Sequence, residues 1–257
     1  MQVLVTGAAG FLGRHVARYF LNSGESVRSF DLAEVDIPGV ESVRGDLTDP
    51  DAVRRAVEGC DAIVHVGAIG DVYLAGERPA LAAAVNVTGT ANVLDAAVDQ
   101  GARVVYASTW EVYGEPEFQP ITEDHPTMPD HPYNITKLAG ESLVLAAAEL
   151  RDVSAIALRL GTAYGSGLRP NSVFRIFIDR ARRGEPITIQ GDGSQGRQFT
   201  HASDIARAFG LAVGSDASGV ALNVVAPETT SIKTLAEGVV AHFPTELLLA
   251  VPRYRYG

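Results

Sequence analysis

The chain has 257 residues, of which 46% are hydrophobic and 20% charged, with a formal net charge of −10 and one cysteine. That length and apolar content bury a full core, which excludes a disordered chain, and the negative balance argues against nucleic-acid binding, which needs clustered Lys and Arg. Cys60 has no partner for an internal disulfide and no Cys/His cluster that suggests a metal site, so it reads as a small buried apolar residue.

In chain order, the first element is a strand around Val3-Leu4-Val5 that runs into Thr6-Gly7-Ala8-Ala9-Gly10-Phe11-Leu12-Gly13. Gly7 takes backbone angles that a Cβ forbids. Gly10 allows close approach to a pyrophosphate, and Gly13 lets the following helix pack tightly. The N–H groups and positive dipole end of that helix, Phe11–Leu21, suit phosphate. The spacing is G-x-x-G-x-x-G rather than the commoner G-x-G-x-x-G, and a ligand-free strand–helix turn has the same composition. Asn22-Ser23-Gly24 stops the helix. The strand Ser26–Phe30 then ends at Asp31, beside Leu32. An acid about 20 residues after the glycines accepts hydrogen bonds from ribose hydroxyls and repels a 2′-phosphate, which favours NAD over NADP. Arg14 and Arg28 are counter-signals that a 2′-phosphate would welcome.

Val40–Arg44 is a third strand, with Asp46 and Leu47 at its end flanking the adenine. Asp49-Pro50 opens a helix to about Glu58. Ala62–Val66 is a fourth strand leading to Gly67-Ala68, with His65 expected to be buried and bonded to backbone. Pro79–Val98 reads as one alanine-rich helix ending near Gly101, in which Asn86 ties the sheet to the helix near the cofactor. Arg103–Ala107 is a fifth strand and Ser154–Leu160 a sixth. Strands alternating with helices predict an α/β fold, a Rossmann-type doubly wound parallel sheet. Its ligands lie at the carboxyl ends of the strands, where Gly7, Asp31, Asp46, Gly67, Ser108 and Gly161 fall.

After the fifth strand come Ser108-Thr109-Trp110-Glu111, and Tyr133 and Lys137 begin the helix Tyr133–Glu149. Four residues apart, those two side chains share a helix face. A tyrosine hydroxyl titrates near ~10, and a neighbouring ammonium favours its phenolate. Tyr133 then serves as general base toward a substrate hydroxyl. Lys137 also holds the nicotinamide ribose, and Thr109 orients the substrate oxygen.

Together these residues, with Gly45-Asp46-Leu47, Asn86–Thr90, Ser108–Gly114, Leu158-Arg159-Leu160 and Gly191–Asp204, resemble the extended short-chain dehydrogenases/reductases, the NAD-dependent epimerase/dehydratase family that acts on nucleotide sugars. The resemblance spans residue 1 to about 226. It implies that NAD takes a hydride from a sugar carbon and usually returns it, with Tyr133 as base, Lys137 as its electrostatic partner and Thr109 as the hydroxyl of the triad. It also implies that Arg197 contacts the nucleotide diphosphate and that Thr162 stands where the family often has a substrate-facing asparagine. The organisation expected is residues 1–160 as NAD-binding domain and 161–257 as a smaller substrate-binding lobe, with sheet elements returning after residue 200 and a helix at Phe174–Arg183. A homodimer through the helices at 80–99 and 133–149 is implied as well.

The reaction stays open at this stage. A nucleotide-sugar epimerase stands first. Glu111, two after Thr109, suits a dehydratase or decarboxylase, whereas Trp110 occupies the place where hexose 4,6-dehydratases want an aspartate. A chain end at Val251–Gly257, short for the family, suits a reduced lobe and a net dehydrogenase of a free sugar. A non-catalytic dinucleotide sensor is the remaining class, and the Thr109–Tyr133–Lys137 set argues against it. With no signal peptide visible and Leu247–Val251 too short to span a membrane, a cytoplasmic protein is expected.

Overall fold

The computed structural model describes residues 1–243 and 245–250. Two compact units divide the chain: Met1–Gly161 with Ala202–Val224, and Thr162–His201 with the described part of Val225–Gly257. The Val251–Gly257 stretch singled out in the sequence lies outside the described residues.

Local chemistry accounts for most element boundaries. β1 (Gln2–Thr6) passes through the glycine turn to α1 (Phe11–Asn22), which stops before Gly24 at φ +84°. β2 (Ser26–Asp31) and β3 (Val40–Arg44) follow. Asp49 caps α2 (Pro50–Val57), its Oδ1 accepting from the Asp51 and Ala52 N–H groups at 3.0 and 3.1 Å. After β4 (Ala62–His65) come the short α3 (Val72–Glu77), α4 (Pro79–Ala83), a π-turn at Ala84–Thr88 and α5 (Gly89–Gln100). β5 (Arg103–Thr109) leads into a 3-10 turn, Trp110–Tyr113, and α6 (Pro132–Leu150) carries proline at its first position, where a missing N–H costs nothing. β6 (Ala155–Leu160) completes the first pass.

The second stretch holds β7 (Thr162–Tyr164), α7 (Val173–Arg182), β8 (Ile187–Gln190), β9 (Gly196–Arg197) and β10 (Phe199–His201). α8 (Ala202–Val213) and β11 (Val220–Val224) return to the first unit, and β12 (Thr230–Ser231), α9 (Ile232–His242) and β13 (Leu247–Ala250) follow.

The first unit is a doubly wound, seven-stranded sheet in the order β3-β2-β1-β4-β5-β6-β11, and all six strand pairs are parallel. Period-two alternation splits the apolar residues between the two faces. Leu4, Ile63, Val104 and Tyr106 join Val53, Val93 and Val144 in a core with α2, α5 and α6, while α1 packs against α8. The strand order reverses between β1 and β4, which places the switch point beside Gly7 and Gly67. Register fixes the level of the site: Thr6 pairs with Phe30 and His65, and His65 with Tyr106.

The helix expected at 79–98 runs from Pro79 to Gln100, and a π-turn at Ala84–Thr88 interrupts its α-helical bonding where Asn86 makes the tertiary contacts described below. The stretch Pro79–Gln100 has the length and, at a mean hydropathy of 1.3, the apolarity of a membrane span. Its α5 half packs against α2 and α6, and it carries the buried polar Asn86, so it is a core helix of this fold.

Among the described residues the second unit has three two-stranded pairs: β7 with β10, β8 with β13, and β9 antiparallel to β12. Phe177, Ala181, Ile187, Ile189, Ala236 and Val239 form a core that joins α7, β8 and α9.

Candidate active site

At the end of β1 the chain turns on Gly7, at φ +70°. A Cβ there would stand 2.6 Å from Gly67 Cα, and one on Gly13 would stand 2.1 Å from the Gly7 carbonyl oxygen. Any side chain at either position would force the turn open. Gly10 caps α1 without a side chain, and the first helical turn holds no acid, so the helix end keeps its positive character for an anion. These features fit a dinucleotide pyrophosphate.

Asp31 closes the turn from the side: Oδ2 accepts from the Ala9 N–H at 2.9 Å and Oδ1 from the Ala33 N–H at 3.1 Å. Leu32, beside it, is exposed. Arg28 is engaged elsewhere. Its guanidinium pairs with Glu41 at 2.9 Å and donates to the carbonyls of Ala56 and Glu58 at the end of α2. Arg14 donates to the Ala9 carbonyl at 3.0 Å. Asp46 and Leu47 lie beyond β3, which stops at Arg44, rather than at its end. Asp46 accepts from the Thr48 N–H at 2.9 Å, which bends the chain, and the Leu47 carbonyl accepts from Asn92 Nδ2 at 2.8 Å.

His65 is fully buried and makes side-chain contacts where backbone ones were expected. Nδ1 lies 2.7 Å from Thr6 Oγ1 and Nε2 lies 3.1 Å from Thr90 Oγ1. The Thr90 hydroxyl donates to the Asn86 carbonyl at 2.7 Å, and Thr6 Oγ1 accepts the Gly67 N–H at 3.0 Å. Each hydroxyl thus has one direction left, which assigns the proton to Nε2 and makes Nδ1 an acceptor. Burial, with the positive Lys137 nearby, lowers the imidazole to about 3, so it is neutral and structural.

Asn86 sits on the π-turn with two bonds to the Ile69 backbone, at 2.7 and 3.2 Å, and a third from Nδ2 to Thr136 Oγ1 at 3.0 Å. It ties the loop after β4, not the sheet itself, to α6. π-Turns of this kind concentrate at functional sites. Thr136 in turn donates to the Tyr133 carbonyl at 2.9 Å, which fixes the backbone that carries the candidate base. Ala68, between Gly67 and Ile69, is half-buried.

Thr109 is 6% exposed, and its hydroxyl accepts the Glu111 N–H at 3.3 Å, which starts the 3-10 turn and keeps Glu111 and Trp110 beside it. Tyr133 and Lys137 lie one turn apart on α6. Lys137 is 3% exposed, with Nζ 4.1 Å from the centre of the Tyr106 ring. Such a desolvated cation–π contact supplies about 2 kcal/mol. Burial pulls the ammonium down to about 7, against a pull upward from Glu141.

Behind these residues lies a network that sequence reasoning missed. The Ser108 hydroxyl donates to Glu141 Oε2 at 2.5 Å. Arg159 pairs with both Glu141 oxygens, at 2.7 to 3.2 Å, and donates to the Tyr113 hydroxyl at 2.7 Å. Tyr113 donates to Asn223 Oδ1 of β11 at 2.8 Å. The one signal in the sequence was an acid at helical spacing after Lys137. Thr162 and Arg197 belong to the second unit. Thr162 pairs with Phe199, and Arg197 lies on β9, exposed, with Nη1 2.8 Å from the Gly196 carbonyl.

The model of the NAD dependent epimerase/dehydratase family matches residues 3–225. The low-salt glycan biosynthesis protein Agl12 of Haloferax volcanii is 34% identical over 239 residues, 87% of this chain and 76% of that protein. MoeE5, in complex with UDP-glucose and NAD, superposes with a TM-score of 0.90 at 33% identity, covering 98% of this chain and 86% of its own. A UDP-glucose 4-epimerase of Thermus thermophilus in complex with NAD gives 0.89 at 30% identity, over 99% and 88%.

Proposed function

The chain belongs to the NAD dependent epimerase/dehydratase family, and from that premise we propose that it is a nucleotide-sugar epimerase with Tyr133 as general base. NAD, when bound, supplies a transient hydride acceptor for a sugar carbon. Tyr133 takes the proton from the sugar hydroxyl as that carbon is oxidised and returns it on the way back. Lys137, one turn away, in its charged form stabilises the negative charge that develops on the Tyr133 oxygen. Thr109 orients the sugar oxygen. Gly7, Gly10, Phe11, Leu12 and Gly13 form the pyrophosphate turn, and Asp31 receives the ribose. In the second unit, Arg197 suits the diphosphate, because a guanidinium presents a planar donor fork.

The observation that carries this reading is the Thr109–Tyr133–Lys137 set on the same sheet edge as the glycine turn, with Lys137 buried. Proton NMR of UDP- and dTDP-sugars incubated with the protein tests it. The expected result is interconversion of two sugars differing at one stereocentre, without accumulation of NADH. Loss of water in place of epimerisation would assign the reaction to Glu111 and a dehydratase. Steady NADH release on free sugars, with none on nucleotide sugars, would overturn both.

The same reading carries a homodimer through α5 and α6, on which Leu143 and Leu150 are exposed. Sedimentation equilibrium should give twice the chain mass, and a monomer at micromolar concentration would refute it.

A further inference from the structure

The buried carboxylate behind the site has no part in the chemistry above, yet it bonds the neighbour of one member of the proton-transfer set and lies one helical turn from another. Glu141 is 1% exposed, on the same face of α6 as Lys137 and one turn beyond it. One oxygen takes the Ser108 hydroxyl at 2.5 Å, next to Thr109 on β5. Arg159 of β6 covers both oxygens, and is itself fixed by the Tyr113 hydroxyl and, at 3.1 Å, by the Glu123 carbonyl. A fold seeking stability alone fills such a place with apolar side chains, since buried ion pairs rarely repay their desolvation.

We propose that Glu141 is a positioning residue for the proton-transfer pair: it anchors Ser108, and so the strand end that presents Thr109, and it keeps positive charge on Lys137. This rests on the assignment of Tyr133 and Lys137 made above. The groups facing Lys137 leave Glu141 as its source of negative charge. β5 offers the ring of Tyr106, β4 the neutral His65, and α6 itself Tyr133. α3 brings Tyr73 and Glu77, both exposed, and Asp95 of α5 pairs with Arg151 at the far end of α6. Burial works against the charge and Glu141 works for it.

The chain has two lysines, Lys137 and the exposed Lys233, so protein labelled with 13Cε-lysine reports Lys137 directly, with Lys233 as internal reference. Taken as purified, Glu141→Gln should lower the Lys137 midpoint by about one pH unit relative to wild type, whereas Ser108→Ala, which keeps the carboxylate, should leave it in place. The alkaline limb of kcat in Glu141→Gln should move down by the same about one unit, with KM for the nucleotide sugar within about twofold of wild type. If Glu141→Gln fails to fold, the Glu141→Gln/Arg159→Met pair leaves no guanidinium buried without its carboxylate, and its Lys137 midpoint must still lie below wild type. An unmoved midpoint in the variants that fold overturns the proposal, as does a moved midpoint with an unmoved kcat profile. Failure of the underlying reading looks different: wild type is then inactive on every nucleotide sugar while the lysine titration still responds to Glu141.

Discussion

Tyr133→Phe is expected to lower kcat by about 10²–10⁴-fold, the range that a positioned proton-transfer group contributes, and to leave NAD bound. The phenyl ring keeps its place. Pro132 and the His131 cap, which accepts the Tyr133 N–H at 3.3 Å, hold the start of α6, and Thr136 holds the Tyr133 carbonyl. Only the ionisable oxygen is lost. The glycine turn and Asp31, which carry the dinucleotide in this reading, lie on β1, α1 and β2 and make no use of that oxygen. NAD retained per chain, measured by absorbance after denaturation, should match wild type while turnover of the nucleotide sugar collapses. Turnover near the wild-type rate would remove Tyr133 from the mechanism, and loss of NAD together with activity would mean that the residue is structural.

The parts of this molecule written in local chemistry were legible in its sequence. The glycine turn is one, because Gly7 and Gly13 answer to backbone sterics within a few residues. The boundaries of α2 are another, set by Asp49 and Pro50. The pair Tyr133 and Lys137 was visible because helical periodicity alone puts them on one face. What the sequence concealed is decided between distant segments. The π-turn in Pro79–Gln100 follows from bonds that Asn86 makes to Ile69 and Thr136, and no propensity scale sees them. Arg28 looked available for a phosphate until the end of α2 folded over it. Arg159 and Glu141 stand 18 residues apart and meet only when β6 lies beside β5 under α6. Sheet elements after residue 200 were expected, but the strand that β11 pairs with, β6, is a non-local partner without a turn signature. The buried polar groups of the site, His65 and Glu141, are legible as residue types, but their partners are not.

Lys137→Met should separate stability from activity, because the two place opposite demands on this position. The ammonium is 3% exposed, and burial lowers it from 10.5 to about 7. A base whose folded value is depressed binds fewer protons in the folded chain than in the unfolded one between those two values. Stability therefore rises with pH from about 7 to 10.5, and the full cost of holding the charge is felt below about 7. That cost is about 1.4 kcal/mol for each unit of displacement, partly offset by the Tyr106 ring. Methionine fills much the same volume without a charge and leaves Glu141 paired with Arg159. NAD-free Lys137→Met should melt above NAD-free wild type at pH 6–7, by about 2–4 °C for each kcal/mol relieved, and the gap should close as pH approaches 10. His65, lowered to about 3, imposes the same sign at lower pH in both proteins, so acid sensitivity below about 6 persists in the variant and cancels in the comparison. Turnover should fall by about 10²-fold or more, since the ammonium that stabilises the charge on the Tyr133 oxygen is then lost. Thermal unfolding followed across pH 6–10 decides the matter. A gap that keeps widening as pH falls below 7, instead of levelling off there, would mean that Lys137 is neutral in the folded protein throughout, and that the charge on which the proposed mechanism depends is never held.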